Sequence, residues 1–348
     1  MVTRKLSGEK RLLNLNVDQK ESMLGILSNQ LIWLILIVLF LIIALIEPRF
    51  ISRLNILNIF LHSTVLGIMV IGESFCLIHG KFDLSIESTL GFTAMLGAIL
   101  VLDNKWNPYL TILIVLATGV FIGFLNSMMI LKLKIDPFVV TLGMLIVLRG
   151  LSLVISKGIT KYNYPQAFQI FAFNIKGGFV SVPILLMLFC YIIFYIIQSR
   201  TVFGRQIYAV GGNIDAAYIS GININKVVIK AFMISGFLAA LSGLVLSARL
   251  NSTPTSLGQG MVFEVFAAAV IGGVSLQGGR GNLIGALGGV LLIATIDSAL
   301  TLTRVSAYWV DTSKGLLLLG AVFLDTLKLR LIPILRERWL GDRVIHSI

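Results

Sequence analysis

Long apolar runs recur along the whole chain, and they constrain its fold more than any other feature. A helix of about 20 apolar residues spans the ~30 Å hydrocarbon core of a bilayer. Hydrophobic residues make up 57% of the 348 residues and charged residues 13%, against about 45–50% and about 25% in soluble proteins. The alternating ten-residue strands typical of a transmembrane barrel are missing from the sequence. The pattern predicts an all-α polytopic membrane protein.

The apolar runs predict about ten spans, some of them short or broken. The eighth and tenth are shorter than a straight span requires, so we expect them to be broken, re-entrant or extended by polar turns. The chain then divides into a segment 1–22, a transmembrane domain 23–327 and a tail 328–348. The predicted spans lie near residues 27–46, 56–78, 88–102, 110–131, 137–155, 180–198, 227–248, 263–276, 283–303 and 314–327.

The charge distribution predicts the orientation. An even number of spans puts both termini on one side, and most of the 28 Lys and Arg residues fall on that side. The positive-inside rule makes it the cytoplasmic side, so that loop 199–226 is cytoplasmic and segment 156–179 external. The net charge of +12 therefore reflects topology. It does not indicate a nucleic-acid partner, because the basic residues are dispersed and no nucleic-acid module is visible.

The cytoplasmic loop contains G-G-N-I-D-A-A-Y-I-S-G-I, residues 211–222, which predicts a short helix with marked ends. Asn213 is a good N-cap, Asp215 suits the positive end of the helix dipole, and Gly221 suits a left-handed stop. Two alanines follow Asp215 and offer a flat surface, and two apolar residues, Tyr218 and Ile219, come next. The pattern indicates a contact surface for another protein; a chance helical turn is the alternative.

Several stretches resemble one family. The run D-A-A-Y-I-S-G resembles the E-A-A-x-x-x-G signature of permease subunits of ABC importers, with Asp215 in place of Glu. Four further blocks resemble ribose-type sugar permeases, which belong to the branched-chain amino acid and sugar permease superfamily. In order along the chain they are H-G-K-F-D-L-S-I-E-S at 79–88, K-I-D-P-F-V-V-T-L-G-M-L-I-V-L-R-G at 134–150, V-I-G-G-V-S-L-Q-G-G-R-G at 270–281, and R-V-S-A-Y-W at 304–309 followed by K-G at 314–315.

The resemblance implies a membrane subunit of an ATP-driven monosaccharide importer in the inner membrane of a prokaryote. Its partners would be an ABC ATPase subunit, a second permease copy or homologue, and a periplasmic or lipid-anchored sugar-binding protein. No cofactor is expected on this chain, since it lacks a P-loop and ATP would bind the ATPase subunit. Within this family, stretch 296–311 resembles the permeases for autoinducer-2-like and deoxysugar substrates more than the others. The coupling residues carried over from the family are Asp215, Ala216, Ala217, Tyr218, Ile219 and Gly221.

Candidates for the translocation path come from the family blocks and from polar groups inside spans. The Gly-rich run 272–281 cannot be an ordinary helix interior, so it is either a broken segment lining the path or a tight turn. Residues 82–85 also echo 274–277, which hints at an internal duplication. Lys81 and Glu87 depart from the family pattern. The path candidates are Asp83, Ser85, Asn126, Thr141, Gly273, Ser275 and Asp297.

Two other functions stay open. An ion-coupled secondary transporter would need a buried carboxylate, for which Glu73 or Asp297 could serve, and an ABC permease for nucleosides would share the fold. A membrane enzyme is disfavoured, because the sequence shows no nucleophile–base pair and the three histidines are too far apart to suggest a metal site. We therefore assign no catalytic and no metal-binding residues.

Overall fold

The computed structural model describes residues 31–172 and 181–306, together with 308–309, 312–320, 322–323 and 326. The predicted segments 1–22 and 328–348 lie outside these residues, as do 27–30 and 327 at the ends of two predicted spans.

The described residues are mostly helical, with two strands of two residues each, which confirms the predicted all-α class. Seven of these helices are long and apolar enough to cross a membrane, and two shorter apolar helices, α1 and α10, overlap the first and eighth predicted spans. Helix α12 overlaps the described part of the tenth. The helices are α1 (Leu31–Ile46), α2 (Arg53–Ile78), α3 (Ile86–Ala98, extended by π-helical turns to Asp103), α4 (Pro108–Lys132), α5 (Pro137–Ser156), α6 (Val182–Arg200), α7 (Val202–Gly212), α8 (Ile214–Ile219), α9 (Ile224–Leu250), α10 (Met261–Ile271), α11 (Leu283–Leu302) and α12 (312–320).

Local signals explain where several helices begin. Proline occupies the first position of α4 and of α5, where its missing N–H costs no helical hydrogen bond. The residue before each proline caps the helix. Asn107 accepts from Tyr109 N at 2.9 Å, and Asp136 accepts from Phe138 N at 2.9 Å. The short strand Lys161–Tyr162 (β1), between α5 and α6, pairs antiparallel with Ser252–Thr253 (β2), which follows α9. The pair ties this connection to the end of α9.

The core lies around α2 and α9, which pack against each other and are mostly buried. Helices α4, α5 and α6 surround them and keep large apolar side chains exposed, as expected of surfaces that face lipid or another membrane subunit. Exposed side chains of this kind include Leu113, Phe121, Ile146, Val154, Phe189 and Ile192.

Glycines allow α4 to lie directly on α9. A Cβ on Gly119 would lie 2.3 Å from Gly236 O, and one on Gly123 would lie 2.0 Å from Phe232 O. These residues are four apart and share one face of α4. Small residues at this spacing let helices in membranes approach closely, and here the contact is within one subunit.

The bundle uses one arrangement twice. The chain leaves α2 through segment 79–85 and enters α3, and it leaves α9 through segment 251–260 and enters α10. Helix α3 packs on α9 and α10 packs on α2; likewise α4 packs on α9 and α11 on α2. In the predicted topology α2 and α9 run in opposite directions, and this order of contacts is the one expected of an inverted repeat.

The equivalent segments therefore differ from those suggested by the sequence echo. Residues 82–85 precede α3, whereas residues 274–277 follow α10. The two tetrapeptides therefore occupy different places in the bundle, and the internal duplication stays a prediction.

The α4–α9 contact can be tested with Gly123→Ala. The added methyl group would meet the backbone of α9, which cannot rotate away, so we expect a loss of about 1–3 kcal/mol in stability. The matched control is Gly143→Ala in α5, where a Cβ would meet nothing within 4 Å and alanine favours the helix by about 1 kcal/mol. Thermal unfolding of the purified proteins in detergent measures both. Equal melting temperatures would contradict the contact.

Candidate functional site

The short helix α8 has the ends that the sequence predicts. The Asn213 side chain accepts a hydrogen bond from Ala216 N at 2.9 Å, and Gly221 has φ +78°, the left-handed conformation of a helix stop. Asp215 lies in the first turn, where its charge favours the positive end of the helix dipole. The predicted N-cap and stop are confirmed.

Helix α8 turns one side to the protein and the other outward. Ala217 is buried in the core, so the expectation of an open surface made by both alanines is wrong for this residue. Its small side chain lets α8 lie close to the bundle. Ala216 is exposed, and Tyr218 and Ile219 are 72% and 84% exposed. Adjacent large apolar groups held outward on a rigid helix are typical of a protein contact surface.

Helix α7 joins α8 to the membrane helices through backbone contacts. A Cβ on Gly211 would lie 1.8 Å from Ile78 O and 2.6 Å from Gly279 N, so the end of α7 touches the end of α2 and the Gly-rich segment. Tyr208 donates a hydrogen bond to Gly281 O at 2.5 Å. Burial raises the pKa of Tyr208 to about 12, so the phenol remains a donor at physiological pH.

The Gly-rich segment 272–282 is a tight turn between α10 and α11. Gly273 has φ +92°. Ser275 N donates to Arg280 O at 3.1 Å, and Ser275 Oγ accepts from Gln277 N at 3.2 Å. The turn closes on itself, with Ser275 buried and Gly273 exposed. Of the two interpretations of this run, the geometry favours the turn, and the role of these residues in a path stays a prediction.

Three other path candidates meet in one buried network. Asp83 accepts from Ser85 Oγ at 2.6 Å and from Ser235 Oγ at 2.7 Å. Its N–H donates to Glu73 Oε1 at 3.2 Å, and Asn126 Nδ2 donates to Ser85 Oγ at 2.8 Å. All five residues are buried. The network holds segment 79–85 between α2, α4 and α9, and it presents no open surface in this conformation.

Thr141 lies beside this network. Its hydroxyl donates to Pro137 O at 2.9 Å and lies 3.4 Å from Phe82 O. It therefore connects α5 to segment 79–85 and is itself buried.

Asp297 takes no part in this network and lines a small cavity among α2, α9, α10 and α11. Lys314 Nζ lies 2.7 Å from Glu264 Oε1 and 3.9 Å from Asp297 Oδ2. His62 and Arg249 also line this cavity. Charged groups inside spans usually pair with each other or face water, and in this cluster Lys314 pairs with Glu264 and Asp297.

Glu87, one of the two residues that depart from the family pattern, joins three elements. One carboxylate oxygen forms a salt bridge with Arg149 of α5. The other accepts from Val262 N at 3.1 Å, in the first turn of α10, whose own N-cap residue is Gly260 and has no side chain to supply the bond. Glu87 therefore caps α10 from α3. The sequence marked this residue as unusual but could not show its partners.

The chain matches the family described as the permease component of the branched-chain amino acid transport system, over residues 55–324. It belongs to this permease family. The permease is therefore a multi-pass membrane protein of a transport system, which confirms the resemblance inferred from the motifs.

Curated relatives cover most of the permease. The ribose import permease protein RbsC of Bacillus subtilis (strain 168) is 35% identical over 297 residues, 84% of this chain and 91% of the relative. The galactose/methyl galactoside import permease protein MglC of Escherichia coli (strain K12) is 33% identical over 334 residues, 89% and 97%. The autoinducer 2 import system permease protein LsrC of Enterobacter sp. (strain 638) is 34% identical over 293 residues, 84% and 85%. No solved structure matches the chain.

Ser235→Ala tests whether the buried network stabilises segment 79–85. It leaves one oxygen of Asp83 without its serine donor, which should cost about 1–3 kcal/mol. Ser242→Ala is the control on the same helix, since Ser242 is equally buried and makes a weak bond of 3.3 Å to Val65 O. Thermal unfolding in detergent compares the two. A loss no larger for Ser235→Ala than for the control would rule out a stabilising role for the bond.

Proposed function

We propose that this permease is the transmembrane subunit of an ABC importer for monosaccharides in the inner membrane of a prokaryote. ATP would be hydrolysed by an ATPase subunit on another chain, and a periplasmic or lipid-anchored binding protein would deliver the sugar. Substrate would cross by alternating access, and this chain would contribute no catalytic residue. The relatives named for ribose, galactose and autoinducer 2 import support this reading.

One observation carries the proposal: α8 is a capped helix with an exposed apolar tip and a rigid connection to the bundle. Tyr218 and Ile219 offer the tip to a partner. Gly211 is in direct contact with the end of α2 and with the Gly-rich turn. The connection between α8 and the bundle is therefore tightly packed. An ATPase subunit that bound α8 would therefore move α2 and α11 directly.

The exposure of Arg149 supports a second permease copy. Arg149 lies within α5 (Pro137–Ser156), and its side chain is 39% exposed. A guanidinium facing lipid inside a span would be costly. The surface of α5 that carries Arg149 therefore faces water or protein. We assign this surface to a translocation path between two permease subunits.

The proposed substrates are ribose first, and then autoinducer-2-like or deoxysugar compounds, because relatives named for ribose and for autoinducer 2 import have similar identity to this chain. Import of nucleosides by the same fold is the second candidate. Uptake measured with a panel of labelled compounds separates the two.

Tyr218→Ala tests the coupling surface. The change removes the largest exposed apolar group of α8, and we expect it to weaken association with the ATPase subunit at least about fivefold, because aromatic anchors at interfaces are worth more than about 1 kcal/mol. Ala216→Asp should act in the same direction by placing a charge in the contact. Co-purification of the co-expressed ATPase subunit measures both.

The control is Tyr109→Ala, at the far end of α4. Tyr109 is also 72% exposed, and the predicted topology places it on the external side. This variant should keep the ATPase subunit bound. Loss of binding in the control, or retained binding in Tyr218→Ala and Ala216→Asp, would contradict the assignment of α8.

The power source separates an ABC importer from an ion-coupled transporter. We expect uptake by proteoliposomes to require the ATPase subunit and internal ATP and to resist a protonophore. Glu73→Gln should then keep most of the uptake, because a buried structural acid carries no coupling ion. Uptake that collapses with the protonophore, or that fails only in Glu73→Gln, would instead indicate an ion-coupled mechanism.

A further inference from the structure

The exposed face of α6 ends at a basic residue. Large apolar side chains recur along this face at helical spacing, so they form one row. The row consists of Leu185, Leu188, Phe189, Ile192 and Ile196, which are between 42% and 60% exposed. Arg200, the last residue of α6, comes four positions after the end of the row and is also exposed. The guanidinium therefore lies on the same face of the helix as the apolar row.

The composition of this face indicates lipid and not a neighbouring helix. Contacts between helices in membranes are enriched in small residues, and the row on α6 contains none. The exposed face of α5 is different, because it carries Gly143 and Gly150, where a Cβ would meet nothing within 4 Å. The contrast favours a protein partner on α5 and acyl chains on α6.

The length of α6 places Arg200 at the edge of the hydrocarbon core. The helix has 19 residues, and at a rise of 1.5 Å per residue it is about 29 Å long. The hydrocarbon core is ~30 Å thick, so a helix that begins at one boundary ends at the other. In the predicted topology Arg200 lies at the cytoplasmic boundary, the depth of the phospholipid headgroups.

Helices α7 and α9 bring further basic side chains to the same place. A Cβ on Gly204 would lie 2.0 Å from Gln198 O, so the first turn of α7 lies directly on the last turn of α6. Arg205 is exposed in this part of α7. Lys230 reaches it from α9, with its Nζ 5.6 Å from the centre of the Phe203 ring. Three helices therefore contribute one basic residue each.

The charge of this junction is not balanced by acidic groups. Residues 199–230 contain four basic residues and one acidic residue, Asp215. In the part of the chain that the structure describes, Arg200, Arg205 and Lys230 form no salt bridge. The positive-inside rule accounts for basic cytoplasmic loops, but it does not require their charges to lie below a lipid-facing row. Guanidinium groups bind phosphate through paired hydrogen bonds.

We propose that Arg200, Arg205 and Lys230 bind the phosphate headgroup of an anionic phospholipid whose acyl chains lie along α6. The bound headgroup holds the start of α7 at the membrane surface, and α7 leads directly to α8. The site depends on the position of α6 in the membrane and not on the transported substrate. It therefore stands or falls separately from the proposed import function.

The first experiment measures lipid retention by the full-length permease, purified with any subunit that accompanies it. The protein is incubated in detergent with equal amounts of phosphatidylglycerol and phosphatidylcholine that have the same acyl chains, and native mass spectrometry counts the bound lipids. Wild type should prefer phosphatidylglycerol. Arg200→Gln and Arg205→Gln should each lower this preference about fivefold, the equivalent of about 1 kcal/mol for each basic residue. Lys157→Gln, which removes an exposed charge at the end of α5, should keep it.

The second experiment locates the lipid. Val202 is 59% exposed at the start of α7 and the two natural cysteines are buried, so Val202→Cys can be labelled selectively with a bimane fluorophore. The nanodiscs have a fixed content of phosphatidylglycerol and phosphatidylcholine, and only one of the two lipids is brominated. Brominated phosphatidylglycerol should quench at least about threefold more strongly than brominated phosphatidylcholine, because the basic residues concentrate it there. Adding Arg200→Gln and Arg205→Gln should remove the difference. Leu113→Cys, exposed in α4 on the external side of the predicted topology, should be quenched equally by both lipids.

Each outcome supports or overturns the site. Equal retention of the two lipids by wild type, or equal quenching at position 202, overturns it, as does a loss in Lys157→Gln as large as in Arg200→Gln. Displacement of phosphatidylglycerol by equimolar soluble glycerol phosphate assigns the cluster to a free phosphate and overturns the lipid assignment. Release of the ATPase subunit by Arg200→Gln and Arg205→Gln with unchanged lipid retention shows that the cluster faces that subunit. This last result overturns the lipid site and supports the proposed importer.

Discussion

Interrupted helices place the strongest physical demand on this structure, because backbone groups inside a membrane must be satisfied by the protein itself. The two entry segments, 79–85 before α3 and 251–260 before α10, meet this demand with carboxylates. Asp83 accepts bonds within the first segment and from α9, and Glu87 supplies the missing cap of α10. Each carboxylate therefore ties together helices from the two halves of the bundle.

The repeated arrangement carries a chemical repeat as well. Glu87 in α3 pairs with Arg149 in α5, and Glu264 in α10 pairs with Lys314 in α12. Both pairs lie near the start of a helix that follows an interruption. Paired charges are tolerated at such a depth when they face water or protein. The two pairs therefore occupy corresponding places, one near the start of each helix that follows an interruption.

Short-range features of the fold were predictable from the sequence, and long-range ones were not. The cap at Asn213, the stop at Gly221 and the shortness of α10 depend on neighbouring residues, so local chemistry predicts them. The burial of Ala217 and the bond between Glu87 and Val262 depend on residues far apart in the chain. The sequence echo between 82–85 and 274–277 misplaced the repeat because a four-residue similarity carries less information than the packing order of whole helices.

The route from α8 to the bundle consists mainly of backbone contacts, and this affects how motion can pass through it. Side chains can absorb a displacement by changing rotamer, whereas backbone atoms in direct contact cannot. Gly211 touches Ile78 and Gly279, and Gly272 touches Ala286 across the turn between α10 and α11. In the proposed coupling, a push on α8 would then move the ends of α2 and α11 together. Since α2 also holds Asp83 through Glu73, the same displacement would reach the start of α3, where Glu87 and Arg149 meet.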